Sequence, residues 1–447
     1  MKPKYQHFPA WVALGLVMPA SADVIYSNLQ NIDIPASFAG LYLNLTLPYD
    51  SSKSNTSMSS PVAGWDINAY RGGMDLANSP AFQPVRANNT TNWAPVTDLA
   101  AGATVGSGSI FSPFVQGATG ETPNAPGYGT SRMLTGSGGN FTAGTEGYVG
   151  FKLYTGANYS AAVYGWMRVV LGGPTPVIKD WAYDNGGGSL ATGNVLQSGS
   201  TITLDSTHGS FALGSALTGS NSLVKDGVGT TTLNVANSYS GGTTVSNGTL
   251  LVNNTSGSGT GSGAVSVASG ATVGGTGSIA GALTLNGGIL SPGASIESLS
   301  SGALTLNTGS TFAYEMDSSA EASVAGDLQI VNGNLTLNGH INLTLSPSAF
   351  TANTTTLSLI QYTGSLLGGG GFFFGETALT EGTIFNDGLN NWKISYAATS
   401  GGLNFASDIP GSHFITLSNL TAIPEPGSWL AIACLIGSGA FLRGRRV

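Results

Sequence analysis

The sequence predicts an all-β chain: a β-sandwich-like module over residues 23–188, a solenoid of short strands over 189–405 and, past a linker at 406–422, a short C-terminal transmembrane helix. Three observations predict it. Glycine contributes 67 of 447 residues, about twice its usual share, while charged residues make up 8% against a usual quarter. Across the second half, short runs alternate apolar side chains with Thr, Ser or Asn and are broken by Gly, Asn and Ser. Apolar residues reach 41% and the mean hydropathy is +0.15, too high for a disordered polar tail, yet between the two ends no apolar run is long enough to cross a bilayer. The body is therefore folded and exposed to water.

The first element is a leader. Met1–Ala22 opens with Lys2 and Lys4, runs apolar from Phe8 to Met18 and closes on Ala20-Ser21-Ala22, the pattern of a secretory signal peptide with Ala20 and Ala22 as the small residues of its cleavage site. Export follows from it.

Residues 23–188 hold most of the prolines and every mid-chain tryptophan but Trp392. Their best strand signals come late, in the aromatic or β-branched runs Tyr148–Tyr154, Ala162–Val170 and Val177–Tyr183. Three such runs predict an antiparallel sheet and a sandwich of single-domain size. Trp65-Asp66-Ile67-Asn68, Ala77–Val85, Tyr164-Gly165-Trp166 and Trp181-Ala182-Tyr183 resemble an N-terminal module common in exported proteins with PEP-CTERM tails. Tyr164, Trp166, Trp181 and Tyr183 are also the candidate carbohydrate-stacking set: exposed, their rings offer apolar faces to sugars, and buried, they are sandwich core.

Past Gly186-Gly187-Gly188 the character changes. Thr201–Leu204, Thr231–Val235, Thr249–Val252, Ala264–Val267, Ala282–Leu285, Ala303–Leu306 and Asn334–Leu337 each put Val, Leu or Ile on one face and Thr, Ser or Asn on the other, as coils do when they stack on a shared apolar column. Within residues 223–252, Lys225, the paired glycines Gly227 and Gly229, the core Tyr239-Ser240-Gly241-Gly242-Thr243 and the ending Gly248-Thr249-Leu250 closely resemble the autotransporter-associated β-strand repeat. Gly288–Ile296, Gly326–Val331 and Leu359–Ser365 look like the degenerate coils that follow it in secreted passengers. The resemblance implies a right-handed parallel β-helix. The outer-membrane barrel of a self-translocating passenger is not expected, because only about forty residues follow Phe405 and they end in arginines.

Residues 423–447 comprise Pro424-Glu425-Pro426, a mostly apolar stretch Trp429–Leu442 and the basic stop Arg443, Arg445 and Arg446, and resemble a PEP-CTERM sorting signal. The resemblance implies that an exosortase-type membrane protease recognises Pro424, Glu425 and Pro426, that a helix over 429–442 anchors the protein in the inner membrane before processing, and that the arginines stay cytoplasmic. At 1.5 Å per residue the stretch spans about 21 Å of a roughly 30 Å hydrocarbon core, which suits a temporary anchor. By composition alone it is also a marginal tail anchor.

Net charge is −8, with the basic residues concentrated at the ends, so nucleic acid is not an expected partner. The lone cysteine, Cys434, excludes an intrachain disulfide and a thiolate zinc site. Residues 227–296 carry no Asp, Glu, Lys, Arg, His or Cys, so these repeats supply neither acid–base catalysis nor a calcium cage. His7, His208, His340 and His413 are scattered, and Gly257–Gly263 lacks the setting of a phosphate cradle and reads as a flexible loop. No metal or cofactor is expected. The best catalytic candidate is the acidic group Glu315, Asp317, Glu321 and Asp327: Glu315 and Asp317, two apart on a strand, would share a face at about 6.6–7 Å, near the separation of an inverting glycosidase pair. No Lys or Arg lies between Lys225 and Lys393 to assist them. The expectation is a non-enzymatic, exported cell-surface or matrix protein, structural or adhesive, meeting extracellular polysaccharide or other surface proteins. The alternative is a polysaccharide-degrading β-helix hydrolase or lyase using Glu315 and Asp317.

Overall fold

The computed structural model describes residues 23–46, 54–55, 64–79, 81–87, 94–111, 129–155, 161–293, 295–319, 325–346, 348–350, 355–402 and 411–420. Among them the structure is β-strand throughout, with two 3-10 turns at Arg71–Gly73 and Thr135–Ser137, and no helix is long and apolar enough to cross a membrane. The expected leader, the sorting motif, the 429–442 helix and the arginine stop lie outside the described residues. The chain divides into two compact units, Met1–Ala282 and Leu283–Val447. The change of character at Gly186–Gly188 falls inside the first.

That unit opens with a sandwich. The three runs legible in sequence form strands Glu146–Thr155, Ala161–Val170 and Val177–Asp184, paired antiparallel and flanked by Phe82–Pro84 and Asp23–Tyr26. A second antiparallel sheet joins Gly129–Arg132, Asp75–Asn78, Ile67–Tyr70, Leu41–Leu43 and Ser54–Asn55. Period-two alternation turns Leu43, Ile67 and Leu76 of one sheet and Phe151, Met167, Ile178 and Trp181 of the other into one core, each large apolar side chain contributing roughly 1.5–3 kcal/mol.

Asp23–Tyr26 belongs to two architectures at once, antiparallel to Val177–Asp184 and parallel to Phe211–Leu213. Two parallel ladders run on from there. One stacks Thr201–Asp205, Ser222–Asp226, Thr243–Val245 and Val265–Val267; the other stacks Phe211–Leu213, Thr230–Leu233, Thr249–Val252 and Thr272–Gly275. Thr201 faces Ser222, Leu223 faces Thr243 and Thr243 faces Val265, an advance of 20 to 22 residues per coil. Register puts like on like: Ile202, Leu223, Thr243 and Val265 form one buried column, and Leu213, Leu233 and Val252 another. The antiparallel strand Val195–Ser198 closes the edge of the first ladder.

The second unit has three parallel ladders. Leu283–Leu285, Leu304–Leu306, Leu335–Leu337 and Leu366–Leu367 form one, Ile289–Pro292, Thr311–Tyr314, His340–Leu345 and Gly371–Phe374 the second, and Ser298–Ser301, Leu328–Val331 and Thr356–Tyr362 the third. Leu283 faces Leu304 at 21 residues, but Leu304 faces Leu335 and Leu335 faces Leu366 at 31 each. The added residues of the longer coils fall between the second and third strands, as from Tyr314 to Leu328 against Pro292 to Ser298 in the shorter coil. Antiparallel pairing ends two ladders: Thr377–Leu379 covers Gly371–Phe374, and His413–Leu420 covers Thr356–Tyr362 and carries Asn391–Ala398 and Ile384–Asn386 beside it. The expected linker 406–422 is thus corrected in part. His413–Leu420 is a sheet strand because Phe414, Ile415 and Leu417 are buried and its backbone pairs on both sides.

Candidate functional site

The stacking set does not form a sugar-facing surface. Trp166 is 0% and Trp181 2% exposed, Tyr183 lies in the sandwich core, and only Tyr164 is half-buried, its ring 5.7 Å from that of Phe111. The sheet that carries them is covered on both faces. Trp181 donates Nε1–H to the Leu45 carbonyl at 3.0 Å on the sandwich side, and Trp166 donates to Asn194 Oδ1 at 3.0 Å on the other. Beside Trp166, Arg168 grips Asp180 through Nε at 2.9 Å and Nη2 at 2.6 Å, and Tyr26 donates its hydroxyl to Asp180 Oδ2 at 2.7 Å. Burial and the adjacent carboxylate hold the Tyr26 hydroxyl protonated. With its bidentate partner and a phenol donor Asp180 is satisfied, so this network fastens the sheet and leaves nothing for a ligand.

The acidic group resolves differently from the sequence pattern. Strand Thr311–Tyr314 ends before Glu315, and Glu315 and Asp317 flank the buried Met316, which bridges antiparallel to Gly326. Asp317 accepts the backbone N–H and hydroxyl of Ser319, which hold its carboxyl below the ordinary range. Asp327, 0% exposed, accepts backbone N–H groups of Glu297 at 3.1 Å and Glu315 at 3.0 Å, and burial pushes its carboxyl up to about 8. Its neighbour is therefore Glu297, a residue the spacing never suggested, reached because successive coils bring residues about thirty apart together. Asp327 is thus enclosed, while the carboxyl of the half-buried Asp317 is favoured in its ionised form. Glu321 lies outside the described residues. Among the described residues no group of three or more His, Cys, Asp or Glu side chains is placed to hold a metal ion.

The repeat over 223–252 is where sequence and geometry meet most closely. Lys225, 0% exposed, donates Nζ–H to the carbonyls of Asp226, Gly227 and Asn247, each at 2.9 Å, tying two coils at one corner, and burial lowers its ammonium to about 8. Asn237 spans three coils, accepting the Leu217 N–H at 2.7 Å and donating to the Val235 and Gly259 carbonyls at 3.2 and 2.6 Å. Tyr239 is fully buried with its hydroxyl 2.6 Å from Thr243 Oγ1. Gly241, Gly263 and Gly281 stack so closely that a Cβ on any of them would run into the backbone carbonyl of the coil before it: Asn221, Gly241 and Gly263 in turn. Only glycine fits there. Gly257–Gly263 is corrected accordingly. Thr260 is 0% exposed and Gly259 and Gly261 are buried, so the string is a packed corner of the stack and not a flexible loop.

On the outside the coils present amides and hydroxyls bonded rung to rung. Asn307 donates to Asn286 at 2.8 Å and Asn338 to Asn307 at 2.9 Å, Asn332 donates to Ser300 at 3.0 Å, and Thr201 and Ser222 share a bond of 3.2 Å.

One comparison with known proteins falls on the same segment. The model of the passenger-associated-transport-repeat matches residues 223–252. The chain is also similar, at 34% identity over 142 residues, to the adhesin BmaC autotransporter of Brucella suis biovar 1 (strain 1330); the match covers 31% of this chain and 4% of that much longer protein.

Proposed function

We propose that the protein is an exported, non-enzymatic surface or matrix component whose stacked coils act as a stiff spacer with a weakly adhesive outer face. The observation that carries this reading is an uncharged rung-to-rung pairing of Asn, Ser and Thr: Thr201 with Ser222 in the first unit, whose coils are locked internally by Lys225, Asn237 and the glycine column, and Asn286, Asn307 and Asn338 in the second. Amides and hydroxyls bond sugar hydroxyls singly with little strength, and repetition along a rigid array multiplies it. Similarity to an adhesin of the autotransporter type and to its transport repeat supports a surface role. Delivery is assigned to the two ends: a leader cut after Ala22, and a tail in which an exosortase-type protease reads Pro424, Glu425 and Pro426, the 429–442 helix anchors transiently, and Arg443, Arg445 and Arg446 remain inside. The test is fractionation of the native host with mass spectrometry of the C-terminus. Matrix-associated protein ending near Pro424 supports the reading; protein confined to the cytoplasm overturns it. The enzymatic alternative is tested with a panel of acidic and neutral polysaccharides, since any cleavage lost in Glu315→Gln would revive it.

A further inference from the structure

The described residues of the first unit enclose a cleft of about 230 Å³ that no part of the reading above uses. Its wall comes from the turn after the sandwich, with Asp184, Ser189 and Asn194, and from the first coils, with His208, Ser210, Phe211 and Thr230 and Thr232. Two side chains in it are built but incomplete. Asn194 is 4% exposed, and its orientation is fixed because Oδ1 accepts the Trp166 indole N–H; its Nδ2 donor is buried without a partner among the described residues. A buried donor left unmade is unfavourable, and a ligand acceptor would satisfy it. Asp184 is 8% exposed and turns Oδ1 to the backbone N–H groups of Gly186 and Gly188 at 3.0 and 2.8 Å, leaving Oδ2 with no partner among the described residues.

We propose that this cleft binds one neutral sugar ring. An amide donor and a carboxylate acceptor, each half-used and set in the same wall, match a hydroxyl that both donates and accepts. The hydroxyls of Ser189, Ser210, Thr230 and Thr232 extend the same chemistry, and the half-buried Phe211 offers an apolar ring. The volume falls below the roughly 300–1,000 Å³ of drug-sized sites, which suits a single ring of an oligosaccharide. Among the described residues no Lys or Arg lines the cleft and Asp184 does, so its charge disfavours phosphates, sulfates and uronates. The spacer reading does not require this site, and purified protein tests it whatever the fate of the tail.

The experiment is saturation-transfer NMR and calorimetric titration of the purified chain with methyl glycosides of glucose, galactose, mannose and N-acetylglucosamine, with tetramethylammonium as a charged control. One or more glycosides should bind with a Kd near the millimolar range. Asn194→Asp keeps the oxygen that receives Trp166 and removes the donor, and should weaken binding at least tenfold. Thr232→Val, isosteric and uncharged, should weaken it severalfold with the circular dichroism and melting of the parent retained. Binding to no glycoside, binding of tetramethylammonium alone, or glycoside binding unchanged in a folded Thr232→Val and in Asn194→Asp would each overturn the proposal.

Discussion

The coils of the first unit and those of the second meet the same difficulty, polar backbone at every corner, with different charged side chains. The short coils, advancing 20 to 22 residues, lie almost backbone on backbone at their corners, so they need glycine there and use amides or the Lys225 ammonium to reach carbonyls of the next coil. The coils advancing 31 residues place their added length between the second and third strands, as from Tyr314 to Leu328, and use a carboxylate, Asp327, to gather N–H groups from residues 297 and 315. A donor side chain serves exposed carbonyls and an acceptor serves exposed N–H groups.

The sharpest way to break this contrast is steric. Gly263→Val should cost at least about 3 kcal/mol, read as a fall in the urea midpoint, because its Cβ meets the Gly241 carbonyl, whereas Gly369→Val in the second unit, where a Cβ meets nothing within 4 Å, should cost under about 1. Asn237→Leu comes next. It strands one N–H and two carbonyls in three coils and should cost roughly 3 kcal/mol, with hydrogen exchange rising at Leu217. The two regions should then diverge with pH. Asp327 keeps its proton when folded up to about 8 and loses it near 4 when unfolded, so the second unit loses stability as pH rises across that window, by at most about 1.4 kcal/mol per pH unit. Lys225 is deprotonated above about 8 when folded and above about 10.5 when unfolded, so the first unit gains stability across that higher window. Region-resolved hydrogen exchange measures both, and parallel profiles would refute the contrast. Asn307→Ala should be smallest, under about 1 kcal/mol, since its two bonds lie in water's reach.

Much of the fold was legible because its signals are local. Leu-Thr-Leu triplets at 283, 304 and 335 state their inward faces within three residues, and the runs ending at Thr155, Val170 and Asp184 carry enough aromatic and β-branched side chains to be unmistakable. The rest depends on partners far away in sequence. Trp166 and Trp181 looked equally able to face water or core, and only the cover supplied by Asn194 on one side and Leu45 on the other decides it. Gln329 breaks the alternation of its strand yet is buried, because Ser301 of the preceding coil accepts its amide at 3.0 Å. Glu297 and Asp327 meet for the same reason, and no spacing rule on one strand finds them.

The double pairing of Asp23–Tyr26 has a kinetic consequence. Tyr26 donates its backbone N–H to Ser215 Oγ, a partner 189 positions onward. Closing so long a loop is entropically slow, and both neighbours of that strand must exist before it can settle. A chain emerging amino end first would hold this segment in waiting until residue 215 had appeared, so the seating of its first strand is timed by a residue 189 positions onward.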